Sequence, residues 1–198
     1  MRKLKFSLLS LLLLVTVIAL GLCWMANRDW RLGRSFDNLI SFIPNAERAL
    51  LPGASDEEIA MASKAIADQI PESDLPRELV ILYRKCGGQT WEAEYEQQLF
   101  PSFDLYPLDE ATAEYKDLCG ILKSIPRQKK TDFLTSWYSP RLFPFGYMQG
   151  LEPRLCIDIQ TGRIYEWDGD RGIHGDQYES VEALLRASIK RQRVEFGR

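Results

Sequence analysis

His174 is the only histidine in the chain, so any Ser-His-Asp, Cys-His or histidine-metal scheme has to pass through it. It falls in Gly172-Ile173-His174-Gly175, which reads as a flexible, solvated loop, and no GxSxG-type nucleophile turn accompanies it. Around it, Asp168, Asp170, Asp176 and Glu179 fit the outer positions of a calcium-loop register. That register fails in its middle, where Gly172 supplies no side-chain oxygen and Ile173 replaces the turn glycine, so the stretch reads as a polar hairpin-to-helix loop. Gly169, Gly172 and Gly175 form no phosphate cradle, because no GK[ST] follows them. The sequence therefore nominates no catalytic residue, no metal ligand and no cofactor.

Binding chemistry is better represented. Glu92, Glu94 and Glu96 alternate with Trp91, Ala93 and Tyr95, the period of a strand with one acidic and one apolar face. Such a row is either a solvated strand face or an acidic docking surface. A second group, Tyr165, Trp167, Asp168 and Asp170, combines aromatics with carboxylates; the aromatics suit either a sheet core or a binding hot spot. These seven residues are the candidate partner-binding set. Charge points to the kind of partner: with three of the 25 basic residues in the N-terminal tail, 22 remain against 28 acidic ones, a balance of −6. A domain so charged is repelled by phosphate backbones, which disfavours nucleic acid, and suits a basic protein.

The elements that must position these residues are legible in order. Ser55-Asp56-Glu57-Glu58 is a capping box, followed at helical spacing by Ile59, Ala62, Ile66 and Ile70 up to Pro71. Leu79, Leu82, Tyr83 and Cys86 share one face of a second helix that stops at Gly87-Gly88. Leu105 to Leu108 reads as a short edge strand, and Asp109 as the cap of a helix carrying Ala111, Tyr115, Leu118 and Leu122. A basic loop, Arg127 to Lys130, and an aromatic cluster of Phe133, Trp137, Tyr138, Phe143 and Phe145 come next. Leu155–Ile159 and Arg163–Trp167 form a hairpin about Gln160-Thr161-Gly162, and Ser180 caps a last helix with Val181, Leu184, Leu185 and Ile189 facing inward. Hairpin spacing between the later strands, without repeated crossovers, predicts an α+β domain with a mostly antiparallel sheet.

Ahead of this domain, residues 1–5 are a basic tail and residues 6–26 carry no charge. As a helix the apolar run extends about 31 Å, enough to span a hydrocarbon core. A cleaved signal peptide is the alternative, with Ala19-Leu20-Gly21 as its site, but the run outlasts a usual signal and continues through Trp24 and Met25. The expectation is a retained single-pass anchor. Arg2, Lys3 and Lys5 on one flank nearly balance Arg28, Arg31 and Arg34 on the other; the short basic tail favours the N-terminus inside and the domain facing the periplasm or exterior. Residues 27–50 read as a linker or membrane-proximal segment, and the folded domain is expected over 51–198. Its three cysteines, Cys86, Cys119 and Cys156, are odd in number and lack CxxC spacing, which suits buried structural thiols.

Several ordered motifs carry a resemblance: Leu51-Pro52-Gly53-Ala54-Ser55 into the first helix, Leu75-Pro76-Arg77-Glu78-Leu79 into Gly87-Gly88, Phe143-Pro144-Phe145-Gly146, Leu155-Cys156-Ile157-Asp158, Gly162 to Asp168, and Ser180 to Leu185. From Leu51 to about Ile189 the chain resembles the SUKH superfamily, the Smi/Knr-like fold. The resemblance implies helices packed around a curved sheet and a non-enzymatic, protein-binding role. Many bacterial members are immunity proteins that neutralise toxins; eukaryotic relatives act in regulating cell-wall assembly. The chain departs from the family pattern in its anchor and in an insertion at Lys123 to Trp137. The leading expectation is thus a membrane-tethered binding module with a basic protein partner such as a toxin. A cell-envelope scaffold is the first alternative, and a carboxylate- or calcium-assisted hydrolase the second.

Overall fold

The computed structural model describes residues 8–90, 97–100, 102–124, 138–148 and 153–197. The elements run α1 (Leu8–Ile40), α2 (Ala46–Ala49), α3 (Asp56–Ala67), α4 (Arg77–Lys85), β1 (Asp104–Leu105), α5 (Leu108–Ser124), β2 (Leu142–Tyr147), β3 (Arg154–Asp158), β4 (Ile164–Asp168), β5 (Gly172–Tyr178) and α6 (Val181–Phe196). The strands make one antiparallel sheet in chain order, β1-β2-β3-β4-β5, and with the helices an α+β fold. Register shifts bend β2, where the pairing steps from Pro144 to Gly146, and β5, where it steps from His174 to Gln177 opposite Glu166 and Tyr165; the first gives Pro144 a place inside a strand.

Local signals explain most helix ends. Ser55 accepts the Glu58 N–H at 3.2 Å while the Glu58 carboxylate accepts the Ser55 N–H at 2.7 Å, the reciprocal box that opens α3. Ser180 accepts the Ala183 N–H at 3.2 Å and opens α6. In contrast, Asp109 does not cap α5: the helix starts at Leu108, whose N–H donates to Gly87 O, and Asp109 sits inside the first turn.

The glycines of the two family-like motifs meet at one crossing. Leu51 N–H donates to Gly88 O at 2.9 Å and Gly87 N–H to Pro52 O at 2.9 Å, so two backbones run in contact. A Cβ on Gly53 would lie 2.2 Å from Arg84 O. On Gly88, at φ +143°, it would lie 2.5 Å from Pro107 Cα, so only glycine fits. Next to this crossing, the buried Gln89 side chain accepts the N–H groups of Leu99 (3.2 Å) and Leu105 (2.8 Å) and donates to Gln97 O (2.8 Å), pinning the segment that leads into β1.

Two expectations change. First, residues 27–50 are not outside the domain. α1 continues unbroken through the apolar run to Ile40, and Leu32, Phe36, Leu39 and Ile43, four or three residues apart, form a stripe in the hydrophobic core. Against this stripe lie α4 and α6, both parallel to α1. Arg28 pairs with Glu78 and Asp29 with Arg77 at one level, and Asp37 with Lys85 (2.8 Å) eight residues further along each helix. On the other side Val181 N–H donates to Glu78 Oε2 at 3.0 Å, and Arg193 lies over the Phe42 ring at 5.4 Å. Second, His174 is on a strand: the polar stretch after Asp168 is β5, with Glu166 opposite His174 and Ile164 opposite Tyr178. The part of the aromatic cluster that the structure describes is sheet core: Phe143 and Phe145 are fully buried on β2. Tyr115 of α5 packs on Phe143 with ring centres 5.4 Å apart, and Phe100 meets Phe145 edge-on at 5.7 Å. The expected strand at Trp91–Glu96, the basic loop Arg127–Lys130, and Phe133 and Trp137 lie outside the described residues.

α1 is also the one helix, among the described residues, long and apolar enough to cross a membrane, with mean hydropathy 1.2. In its first half, Leu13, Val17, Leu20 and Trp24 are each more than half exposed.

Candidate partner-binding surface

The β4–β5 hairpin gathers Tyr165, Trp167, Asp168 and Asp170. Asp168 ends β4 with its carboxylate turned into the following turn. Its Oδ1 accepts the N–H groups of Asp170 (2.9 Å) and Arg171 (2.5 Å), and its Oδ2 lies 2.6 Å from His174 Nε2. Burial acts to raise this carboxyl, but the Arg171 N–H, His174 and the Asp170 N–H together hold it below its usual value. The hairpin before it is built the same way: Asp158 Oδ1 accepts the N–H groups of Gln160 (2.9 Å) and Thr161 (3.0 Å), and Arg141 pairs with Oδ2 at 2.8 Å. Both turns close on a glycine at φ 71°, Gly162 and Gly172. The repeated spacing Asp-x-x-x-Gly at 158–162 and 168–172 is the signal in the sequence for a second hairpin, and it accounts for β5.

Asp168 therefore braces a turn, and Trp167 is buried, its ring edge-on to Tyr138 at 5.2 Å. Tyr165 is partly buried against the core, and Asp170 is exposed at the tip. Beyond it Ile173 exposes 46% of its surface. Of the candidate set, the outward-facing residues here are thus Asp170 and the open edge of Tyr165; Glu92, Glu94 and Glu96 lie outside the described residues.

A second acidic surface was not legible from spacing alone. Where α3 crosses α5, a recess of about 320 Å³ is lined by Glu58, Met61, Asp109, Thr112, Lys116 and Asp117. Met61 is 52% exposed, an unbranched apolar side chain that adapts its shape to what it meets. Asp109 and Asp117 are exposed beside it.

Nucleophile chemistry finds little support in the thiols. Cys86 donates to Gly88 O at 2.9 Å, and burial pushes it and Cys119 up to about 11; burial raises Cys156 further. Thiols held neutral in this way pack as apolar groups. No group of three or more His, Cys, Asp or Glu residues that could hold a metal ion occurs among the described residues.

Comparison with known proteins adds one result. The family model described as SMI1 / KNR4 family (SUKH-1) matches residues 53–186, from the Gly53 crossing to the first turns of α6. No curated protein matches the chain.

Proposed function

We propose, from the premise that this chain belongs to the SMI1 / KNR4 family (SUKH-1), that it is a membrane-tethered, non-enzymatic module that binds a basic protein. Membership is compatible with immunity and with cell-wall regulation, and the anchor favours a partner that acts at the envelope, such as a toxin. An unbroken helix from the apolar run into the core supports a retained anchor, and the basic tail Arg2, Lys3 and Lys5 supports a domain outside the cytoplasm.

The observation that carries the binding reading is the α3–α5 recess. Its lining combines the exposed apolar side chain of Met61 with the carboxylates Glu58, Asp109 and Asp117, which outnumber the one cation Lys116, and a basic, partly apolar protein segment would complement it. Asp170 with Tyr165, and Glu92, Glu94 and Glu96, are the further acidic contacts of the proposed surface.

The test starts from a partner isolated from detergent-solubilised membranes. Association rates at low and high salt are compared for the wild type, Asp109→Lys/Asp117→Lys, Asp170→Lys and Glu92→Lys/Glu94→Lys/Glu96→Lys. Charges that steer association set the rate and its salt dependence, so the α3–α5 pair is expected to slow binding about tenfold or more and flatten the salt slope. Unchanged kinetics in that variant reject the recess; a loss only in one of the other two moves the docking site there. Toxin activity or cell-wall synthesis activity in the isolated partner decides between the two family roles.

A further inference from the structure

The anchor and the domain share α1, and this sets where the domain can sit. The apolar run ends at Ala26 and the first core residue is Leu32, six residues or about 9 Å further along the helix. A headgroup layer occupies roughly 5–8 Å on each side of the hydrocarbon. No room for a flexible tether exists within that interval, and it is braced across the helices: Arg28 to Glu78, Asp29 to Arg77, and Glu78 in turn to the first N–H of α6.

The residues at that level have headgroup chemistry. Trp24 and Trp30 are each 60% exposed, with Arg28 5.9 Å and Arg34 5.1 Å from their respective ring centres. Arg31 is exposed as well. Counting Arg77, four arginines stand at this end of the three helices, three of them on α1, beside Asp29 and Glu78 and, at the start of α6, Glu179 and Glu182. Tryptophan and arginine at the end of an apolar helix are suited to the interface, where the guanidinium groups of α1 can meet lipid phosphate.

Resting on the membrane reading above, we infer that α1, α4 and α6 form a rigid three-helix collar whose N-terminal ends rest on the lipid headgroups, so that anchor and domain move as one body. The C-terminal half of α6 then points away from the bilayer, since Arg193 reaches Phe42 at the far end of the collar.

The test uses the full chain carrying Cys23→Ser, in vesicles of phosphatidylethanolamine and phosphatidylglycerol doped with headgroup spin-labelled lipid. A fluorophore is placed at Glu179→Cys, just before α6, or at Val194→Cys near its end, both exposed positions. The two lie about 20 Å apart along the helix direction, and attenuation is expected to be about threefold or more greater at 179 than at 194. A Gly-Gly-Ser-Gly-Gly insertion after Ala26 should remove that difference by freeing the domain. Equal attenuation at both labels in the uninterrupted chain, with the protein still co-floating with vesicles, overturns this inference alone. A chain that does not co-float overturns the membrane reading together with it.

Discussion

Arg28 and Glu78 are ion-paired across fifty residues of sequence, and the same Glu78 carboxylate accepts the N–H of Val181 at 3.0 Å. One carboxylate thereby ties the helix that carries the apolar run to the second and last helices of the domain. The position of Phe36, two turns along, is the energetic counterpart: it is 1% exposed and packed in the core that α4 and α6 complete.

A fragment beginning at Leu51 is therefore expected to be much less stable than one beginning at Asn27, because it loses Leu32, Phe36, Leu39 and Ile43 together. Phe36→Ala alone should cost about 3–5 kcal/mol. Urea denaturation of the Asn27–Arg198 fragment, with and without the substitution, measures it; equal stability of the two truncations would sink the assignment of α1 to the core.

Gly88→Ala is expected to destabilise by at least ~2 kcal/mol. The backbone at φ +143° is strained for any other residue, and the new Cβ meets Pro107 Cα, a backbone atom that cannot step aside. Gly162→Ala, at φ +71° with open space around its Cβ, carries the backbone cost alone and should shift the melting temperature less.

Gln89→Leu keeps the size of the side chain but strands the N–H groups of Leu99 and Leu105. Unsatisfied buried donors cost about 1–3 kcal/mol each, so a loss of roughly 2–6 kcal/mol is expected. Hydrogen exchange should show the Leu105 amide losing protection ahead of the amides of α3.

The Asp168 carboxyl is held below its usual value of 3.8 in the folded chain. A group depressed in this way contributes stability that is fully present above the unfolded value and is lost as the pH falls through the folded one. Melting temperature should consequently drop below about pH 4 in the wild type, and Asp168→Asn should show a smaller drop over the same range. Identical acid profiles would mean that the turn brace makes no net contribution.

Much of the fold was legible because its signals are local. Ser55 and Glu58 stand three residues apart, Leu79, Leu82 and Tyr83 share a face by helical period, and β3 and β4 flank a short turn; each needs only its neighbours in the chain to take shape. The resemblance carried by the Pro-Gly and Gly-Gly motifs was equally readable, although their physical reason, two backbones in contact, appears only when both are placed.

What the sequence could not settle depends on partners far along the chain. Leu32, Phe36, Leu39 and Ile43 have the spacing of a buried stripe, but a stripe does not say what covers it, and here α4 and α6 do. Trp167 and Asp168 had the composition of a binding site; the sheet register turned one into the core and the other into a turn brace. The α3–α5 recess joins residues about fifty positions apart, and no periodicity within either helix points to the other. Local propensity and hydrophobic period thus determined which segments become helices and strands and where they stop. Only tertiary packing decided which faces are left to meet a partner, because burial is a property of two surfaces in contact.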